Sequence, residues 1–599
     1  MKLKNIILFG TVSVALTSCD DLFEPALENN QDISQMYTDP QFARGIMDNA
    51  NLVLPYEENP TNMTDVATDD AVSNDNDNNY LKMALGTWTS STNPINQWET
   101  RYHAIQYLNL FLENADKVLW DYSSEALNQM HMDNYKGNAY ALRGLHFFYL
   151  LRAHCGMVDG ELMGVPIHLT SEDGSSDFNQ PRNTFKECID QIMSDFDEAL
   201  TYLPTTYGDV TSSANVPEKY RSIGGGEDDY NRAFGKLQRG KIDGRMIAAF
   251  KAQVALFAAS PAYAPAGAMS WEQAAQYAAT SLRNIGGIAG MDAEGWRWFN
   301  NVSMIESFAF DNPDPQEICW RGVVGDSYSV EESNYPPSLT GNGRVNPTQN
   351  LVDAFPMANG YPISDGASGY DPSNPYENRD PRLKAYILVN GETIGANNTV
   401  INTAADNDET LDGLNRENKK STRTGYYLRK LLRNDVNLNP AANKRHFGAR
   451  IRYTEIFLDY AEAANEAQGP KANVGGANFS AYDVIKAIRE RAGICKGTAD
   501  PYLDRCAQSK EAMRELIRNE RRLELCFENH RFWDLRRWKA DLNTVAKGIS
   551  ITKDPATGAF VYKTFDVERR DYRDYMYYGP IPYSEVMKWS ALRQNDGWN

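Results

Sequence analysis

Apolar residues recur along this chain with helical spacing. Tyr453, Ile456, Phe457, Tyr460, Ala461 and Ala464 fall at i, i+3, i+4, i+7, i+8 and i+11, the stripe of one amphipathic helix. A Gly-rich turn follows, and Ala481 to Ala492 predicts its partner. Ile242, Met246, Phe250, Val254 and Phe257 make a second stripe, flanked by alanines at 248, 249, 252 and 255 that permit close helix approach. Trp271 to Leu282, with Ala274, Ala275, Ala278 and Ala279, predicts the helix that packs on it. Further helices are predicted over Glu99 to Leu119, Asn134 to Ala153, Thr184 to Leu203 and Ser509 to Phe527.

Helices arranged in pairs, with alanine and aromatic positions, resemble tetratricopeptide repeats, although no strict 34-residue period is visible. The fold class expected is mainly α: a degenerate TPR-like helical-repeat scaffold with long loop-rich insertions and few short strands. The insertions are Asn59 to Pro94, Pro204 to Phe234, Gly286 to Val345 and Asp365 to His446. Loops of that length in a compact body are usually functional or partly disordered. Within them Gly224-Gly225-Gly226-Glu227-Asp228-Asp229 is expected to be a mobile surface turn.

The first residues follow a different pattern. Lys2 and Lys4 precede an apolar run from Ile6 to Ala15, and Leu16-Thr17-Ser18-Cys19 resembles a bacterial lipobox, cleaved just before its cysteine. The run is too short to span a bilayer, which takes ~20 residues. Residues 1–18 are therefore expected to be a signal peptide and Cys19 the lipidation site, because two or more acyl chains anchor stably where one does not. Asp20-Asp21 directly follow the cysteine, and the resemblance to lipoproteins of the Bacteroidetes type implies that such acidic residues favour export to the outer face of the outer membrane. The remainder is expected to divide at 335/336 into an N-terminal region, 19–335, and a C-terminal region, 336–599, packed as one body.

Charge and cysteine content narrow the ligand. A net charge of −20 opposes binding to nucleic acid or to anionic membrane surfaces, so a neutral ligand fits better. The 33 Tyr and 11 Trp are compatible with sugar-stacking platforms as well as with ordinary packing. No cysteine pair has metal spacing, and Cys495 and Cys506, flanking a short polar loop, form a candidate disulfide.

The C-terminal motifs carry a family resemblance. NPTQNLVDAF (346–355), NRDPR (378–382), RYTEIFLDYAEAANEA (452–467), AIRERAG (487–493), IRNERRLELCFENHRFWDLRRW (517–538) and YGPIPYSEV (578–586) closely resemble the SusD/RagB family. YALRGLHFFYLLRAHCG (140–156) and PRNTFKECIDQIMSDFDEALTYLP (181–204) extend the resemblance upstream. It implies an outer-membrane nutrient-binding lipoprotein, lipid-anchored and facing the cell exterior, that captures an oligosaccharide and delivers it to a SusC-like TonB-dependent transporter. Peptide capture for a RagA-like transporter is the alternative from the same resemblance. Physically, the motifs read as scaffold: Leu516, Glu520, Leu523 and Phe527 share one stripe, so a carboxylate sits among core residues and needs a cationic partner, with Arg489, Arg491 and Arg531 as candidates.

No catalytic constellation is present: HExxH, GxSxG, Walker and GxGxxG patterns are all missing. A glycosidase stays open only because two carboxylates leave no sequence signature. The stretch Asp65 to Asn79 is rich in Asp and Asn but lacks the glycine and terminal glutamate of an EF-hand, leaving structural calcium open beside a polar ligand-facing loop. No cofactor is expected otherwise. The resemblance places ligand groups on loops after the first helix and in the central insertion, which offer Asp70, Tyr80, Trp88, Asn93, Trp296, Trp298, Tyr328, Asn334 and Tyr335. For each aromatic, packing and ligand contact both stay open. Trp98 and Trp320 are expected to be packing residues, and Trp88, among small polar neighbours, to be exposed for stacking.

Overall fold

The computed structural model describes residues 33–55, 61–309 and 311–598. The signal segment and Cys19 lie outside these residues.

The helical pattern folds into a ladder. Its rungs are α1 (Pro40–Leu52), α2 (Trp98–Asn114), α3 (Glu125–His154), α4 (Phe185–Tyr202), α5 (Gly244–Ala259), α6 (Trp271–Arg283) and α7 (Tyr453–Gln468). Each packs on the next, and α7 also supports α8 (Ala481–Ala492) and α9 (Lys510–Leu525). Helix starts follow capping chemistry. Thr184 with Glu187, Ser270 with Gln273 and Ser480 with Asp483 form reciprocal capping boxes. The alanines of α6 are fully buried between α5 and α7, where larger side chains would hold the helices apart. One apolar core runs along the whole ladder, from Met36 to Leu592.

Two expectations need correction here. α3 begins at Glu125, not Asn134, because its first turns cover a satellite core formed with Tyr207, Val216, Tyr220, Tyr230 and Phe234. The Gly224–Asp229 stretch is correspondingly not a free turn: Glu227 to Asp229 form the acidic first turn of the helix Glu227–Phe234, which suits a helix N-terminus.

Between α6 and α7 the chain builds a second core around Trp298, Phe299, Leu351, Phe355, Leu383, Tyr386, Tyr426 and Leu428. Its strands are short antiparallel pairs: Ile318–Arg321 with Ala449–Arg452, Gly325–Ser327 with Lys444–His446, and Val345–Pro347 with Ala71–Ser73. A longer hairpin joins Ala546–Lys553 to Phe560–Glu568. Cys495 and Cys506 are free thiols, so the candidate disulfide is not formed.

The last two turns of α9 join the two cores. Glu520 accepts from Arg489 Nη1 at 2.7 Å and from Arg382 Nη2 at 2.9 Å. Glu524 accepts from Arg382 at 3.0 Å and from Arg491 at 3.2 Å. Of the partners expected for Glu520, only Arg489 reaches it; Arg531 pairs with Asp69 instead. Arg382 sits at the centre with no exposed surface, also gripping Asp380 at 2.6 Å. Breaking such a pair strands a buried charge and costs ~3–5 kcal/mol. Arg382→Ala is therefore expected to lower unfolding stability by that amount in urea titration, far more than Lys384→Ala two residues along on the exposed face; equal small losses would refute the assignment.

Candidate functional site

The sequence-predicted residues do not converge on one site. Asp70 has no exposed surface, and its Oδ1 accepts from Arg522 Nε at 2.6 Å. Trp88 is 2% exposed: its ring meets Trp598 at 4.8 Å and Phe532 and Tyr572 at 6.3 Å, with the Arg536 guanidinium 5.2 Å away. Asn93 is its hydrogen-bond partner, Oδ1 accepting from Trp88 Nε1 at 3.0 Å. The exposed-platform expectation for Trp88 is thus wrong, because aromatic partners from the C-terminal region close over it. Tyr80 is half-buried between two apolar clusters. Asn334 is buried, accepting from Val345 N–H at 3.3 Å, and the buried Tyr335 hydroxyl donates to the Arg433 carbonyl. Trp296 packs half-buried on the second core, its carbonyl accepting from Tyr386 OH at 2.5 Å. Trp98 and Trp320 are buried, as expected.

The calcium alternative for this region loses its ligands. Asp65 accepts from the backbone N–H groups of Phe527 at 2.9 Å and Asn529 at 3.2 Å, both residues at positive φ, while Asp69 and Asp70 are held by Arg522 and Arg531. This Asp65 clamp stabilises a turn that non-glycine residues adopt only under strain. Among the described residues no cluster of His, Cys, Asp and Glu suits a metal.

A different place is built like a binding site. Where the ladder meets the second core, a cavity of about 370 Å³ opens to the surface, within the ~300–1,000 Å³ usual for small-molecule sites. α3 contributes Phe148, Tyr149 and Arg152; α7 contributes Glu455 and Asp459; α9 contributes Arg521. The turn His530 and helix α10 (Arg531–Arg537) add Trp533, Asp534 and Arg537, and Trp298 and Phe299 close the far wall. Residues 323–329 form the rim, where Val323 is 67% exposed. Of the predicted residues only Trp298 lines this cavity; Tyr328 lies half-buried between the rim residues Ser327 and Ser329.

The floor is a charged network. Arg521 Nη1 donates to Asp459 Oδ1 at 2.6 Å and its Nε to Asp534 Oδ2 at 2.8 Å, and Arg537 bridges Asp534 to Glu462. Glu455 Oε1 accepts from Gln253 of α5 at 2.8 Å and stands 3.7 Å from His530 Nδ1. Arg152 stacks 4.2 Å over the Trp533 ring, a cation–π contact that fixes the indole in the cavity lining. Burial pushes the Glu455 and Asp459 carboxyls up, helped by repulsion from Asp459 on the first and from Glu462 on the second, and burial with Arg521 pushes His530 down to about 3. At neutral pH His530 is therefore uncharged.

These residues escaped sequence reasoning because they lie inside motifs read as scaffold. A signal existed: Glu455, Asp459 and Glu462 recur at i, i+4 and i+7 on a helix that is buried all round, so its polar stripe had to face something polar.

Two outcomes follow. Trp88→Ala removes a core ring and is expected to cost ~3–5 kcal/mol in denaturant unfolding; an unchanged midpoint would return Trp88 to the surface. The pH dependence has two limbs. Glu528 and Asp534, although buried, are held at about 2 by Arg452 with Lys430 and by Arg521 with Arg537. Their contribution is full above the ordinary carboxylate range and lost as pH falls toward 2. Glu455 and Asp459, shifted up, contribute fully below their unfolded values and lose that contribution as pH rises. The melting temperature is thus expected to peak in mildly acidic solution, and a monotonic rise through neutral pH would contradict the assignment.

Comparison with known proteins agrees with this architecture. The family described as "SusD family" matches residues 310–598, and that described as "Starch-binding associating with outer membrane" matches residues 27–216. SusD-like protein P38 of Formosa agariphila is 22% identical over 467 residues, covering 76% of this chain and 75% of that protein. With SusD-like protein P2 of the same organism the likeness, 29% identical, spans 24% of this chain and a quarter (25%) of that protein. A SusD-like protein from Bacteroides fragilis superposes with a TM-score of 0.71 at 21% identity, covering 95% of this chain and 99% of that one. A SusD-like carbohydrate binding protein from the same species gives 0.63 at 21% identity, over 88% and 92% of the two chains. Matched in both its N-terminal and C-terminal parts and sharing the whole fold, the chain belongs to the SusD/RagB family.

Proposed function

We propose that this protein is a non-catalytic glycan-capture lipoprotein of the outer membrane, anchored through Cys19 and facing the cell exterior, that passes oligosaccharide to a SusC-like TonB-dependent transporter. The observation that carries the reading is the coverage of residues 27–216 by a family described as starch-binding and associating with the outer membrane. Relatives named for carbohydrate binding share the fold. The cavity supports it further: aromatic walls with a polar floor are how sugars are held, the C–H face of a ring against an indole and the hydroxyls against fixed polar groups. The lipobox supplies the anchor, since no helix among the described residues is long and apolar enough to cross a membrane. A transporter completes the account because a tethered binder feeds a cell only if its cargo crosses the outer membrane.

The purified protein, incubated with panels of neutral glycans and of peptides, is expected to retain at least one glycan and release no cleavage products. Retention of peptides alone would overturn the glycan reading, and product release the non-catalytic one.

A further inference from the structure

His446 ends the strand Lys444–His446, which pairs antiparallel with Gly325–Ser327. Both of its ring nitrogens face acceptors. Nδ1 lies 2.7 Å from the Lys444 carbonyl oxygen, and Nε2 lies 3.1 Å from Glu331 Oε1. A carbonyl only accepts, and Glu331 Oε1 already accepts from the Arg433 backbone N–H at 2.9 Å. A neutral imidazole carries one N–H and can donate to only one of these oxygens; the imidazolium, with two, donates to both. Glu331 has no exposed surface, and His446 is its one ion-pair partner among the described residues. A buried carboxylate stripped of its cation is costly, so the second ring proton holds this pair together.

The pair joins stretches of the cavity wall that are distant in sequence. Glu331 lies in the helix Ser329–Asn334, and residues 325–327, 329 and 330, just before it, line the cavity. Arg433, whose N–H shares the Glu331 oxygen, lines it too, as does the run 446–450 that begins at His446. The other charges at this corner are engaged elsewhere. The Arg433 guanidinium is held by Asp435 at 2.6 Å, Glu306 at 2.8 Å and the Arg445 carbonyl at 2.7 Å. Asp326, on the paired strand, stands 3.4 Å from Arg445, Lys444 stands 3.7 Å from Asp435, and Glu332 is exposed. Burial and Arg433 oppose a charge on His446, but the hydrogen bond and attraction of Glu331, with the Lys444 carbonyl, outweigh them and raise the ring above its ordinary 6.5.

We propose that His446 is a pH-sensitive latch on the cavity wall: protonated on both nitrogens it ties the strand Lys444–His446 to the helix Ser329–Asn334, and loss of one proton releases the helix from the strand. A group raised in the folded state contributes fully below its unfolded value and loses that contribution as pH rises through the folded one. The wall is therefore held in mildly acidic solution and loosens toward alkaline pH. The deprotonated ring keeps its bond to the Lys444 carbonyl, and the carboxylate of Glu331, left without a cation, is drawn toward water. The latch acts on the wall whether or not the cavity holds a glycan.

The full chain, isotope-labelled at histidine Cε1 and free of ligand, is titrated by NMR, with His446→Gln assigning the His446 signal. Its midpoint is expected above the ordinary 6.5, and Glu331→Gln is expected to lower it. Hydrogen exchange read by mass spectrometry follows the wall itself. Protection of the amides of 325–334 and 444–450, corrected for the intrinsic rate, is expected to fall by about tenfold, one hydrogen bond's worth, as the signal titrates. His446→Gln combined with Glu331→Gln replaces the ion pair by neutral amides, leaves Glu455 and Asp459 of the cavity floor untouched, and is expected to abolish that fall. A His446 midpoint at or below 6.5, wall protection that stays constant through the titration, or the same fall in the double variant would each overturn the latch. The two readouts on the parent decide the matter even where a variant fails to fold.

Discussion

The fold depends on a buried lattice of guanidinium and carboxylate groups at the C-terminal end of α9. In one stretch of helix Glu520, Arg521, Arg522 and Glu524 point in different directions and tie separate parts of the chain. Glu520 and Glu524 hold Arg382 of the second core and Arg489 and Arg491 of α8; Arg521 holds Asp459 of α7 and Asp534 of α10; Arg522 holds Asp69 and Asp70 of the N-terminal loop. Charges stripped of water attract strongly but were costly to desolvate, so such a lattice adds little net stability and penalises every arrangement that leaves one member unpaired. It fixes which surfaces of the ladder and of the insertion face each other.

The same lattice makes the cavity floor. Arg521 belongs both to the scaffold and to the cavity, since it lines the space while pairing with Asp459 and Asp534. Aromatic rings brought by α3, α10 and the second core then stand over a floor that cannot collapse without breaking ion pairs. A cavity between two cores is normally closed by repacking. Here the charges beneath it oppose that, because apolar side chains falling inward would bury carboxylates against hydrocarbon.

The helices were legible because their information is local: stripes at helical spacing, Ser or Thr caps and alanine faces lie within a few residues of each other. What the sequence concealed depends on distant partners. Trp88 sits among threonines and serines and reads as exposed, but Phe532, Tyr572 and Trp598, more than four hundred residues away in sequence, bury it. The buried Glu520 announced the need for a cation, and Arg489 answered as expected; Arg382 gave no local sign of its role although it lies within a quoted motif. The cavity was hidden for the same reason. Its residues come from α3, α5, α7, α9, α10 and the second core, and of these only Trp298 was expected to meet a ligand.

The central claim, that charge-fixed scaffold and glycan site meet in one cavity, is tested most directly by a crystal structure of the protein soaked with a neutral oligosaccharide it retains. The account requires a sugar ring in the cavity, among the side chains of Tyr149, Trp298, Phe299 and Trp533. A glycan ordered elsewhere on the surface, with only water between Trp298 and Asp459, would contradict it.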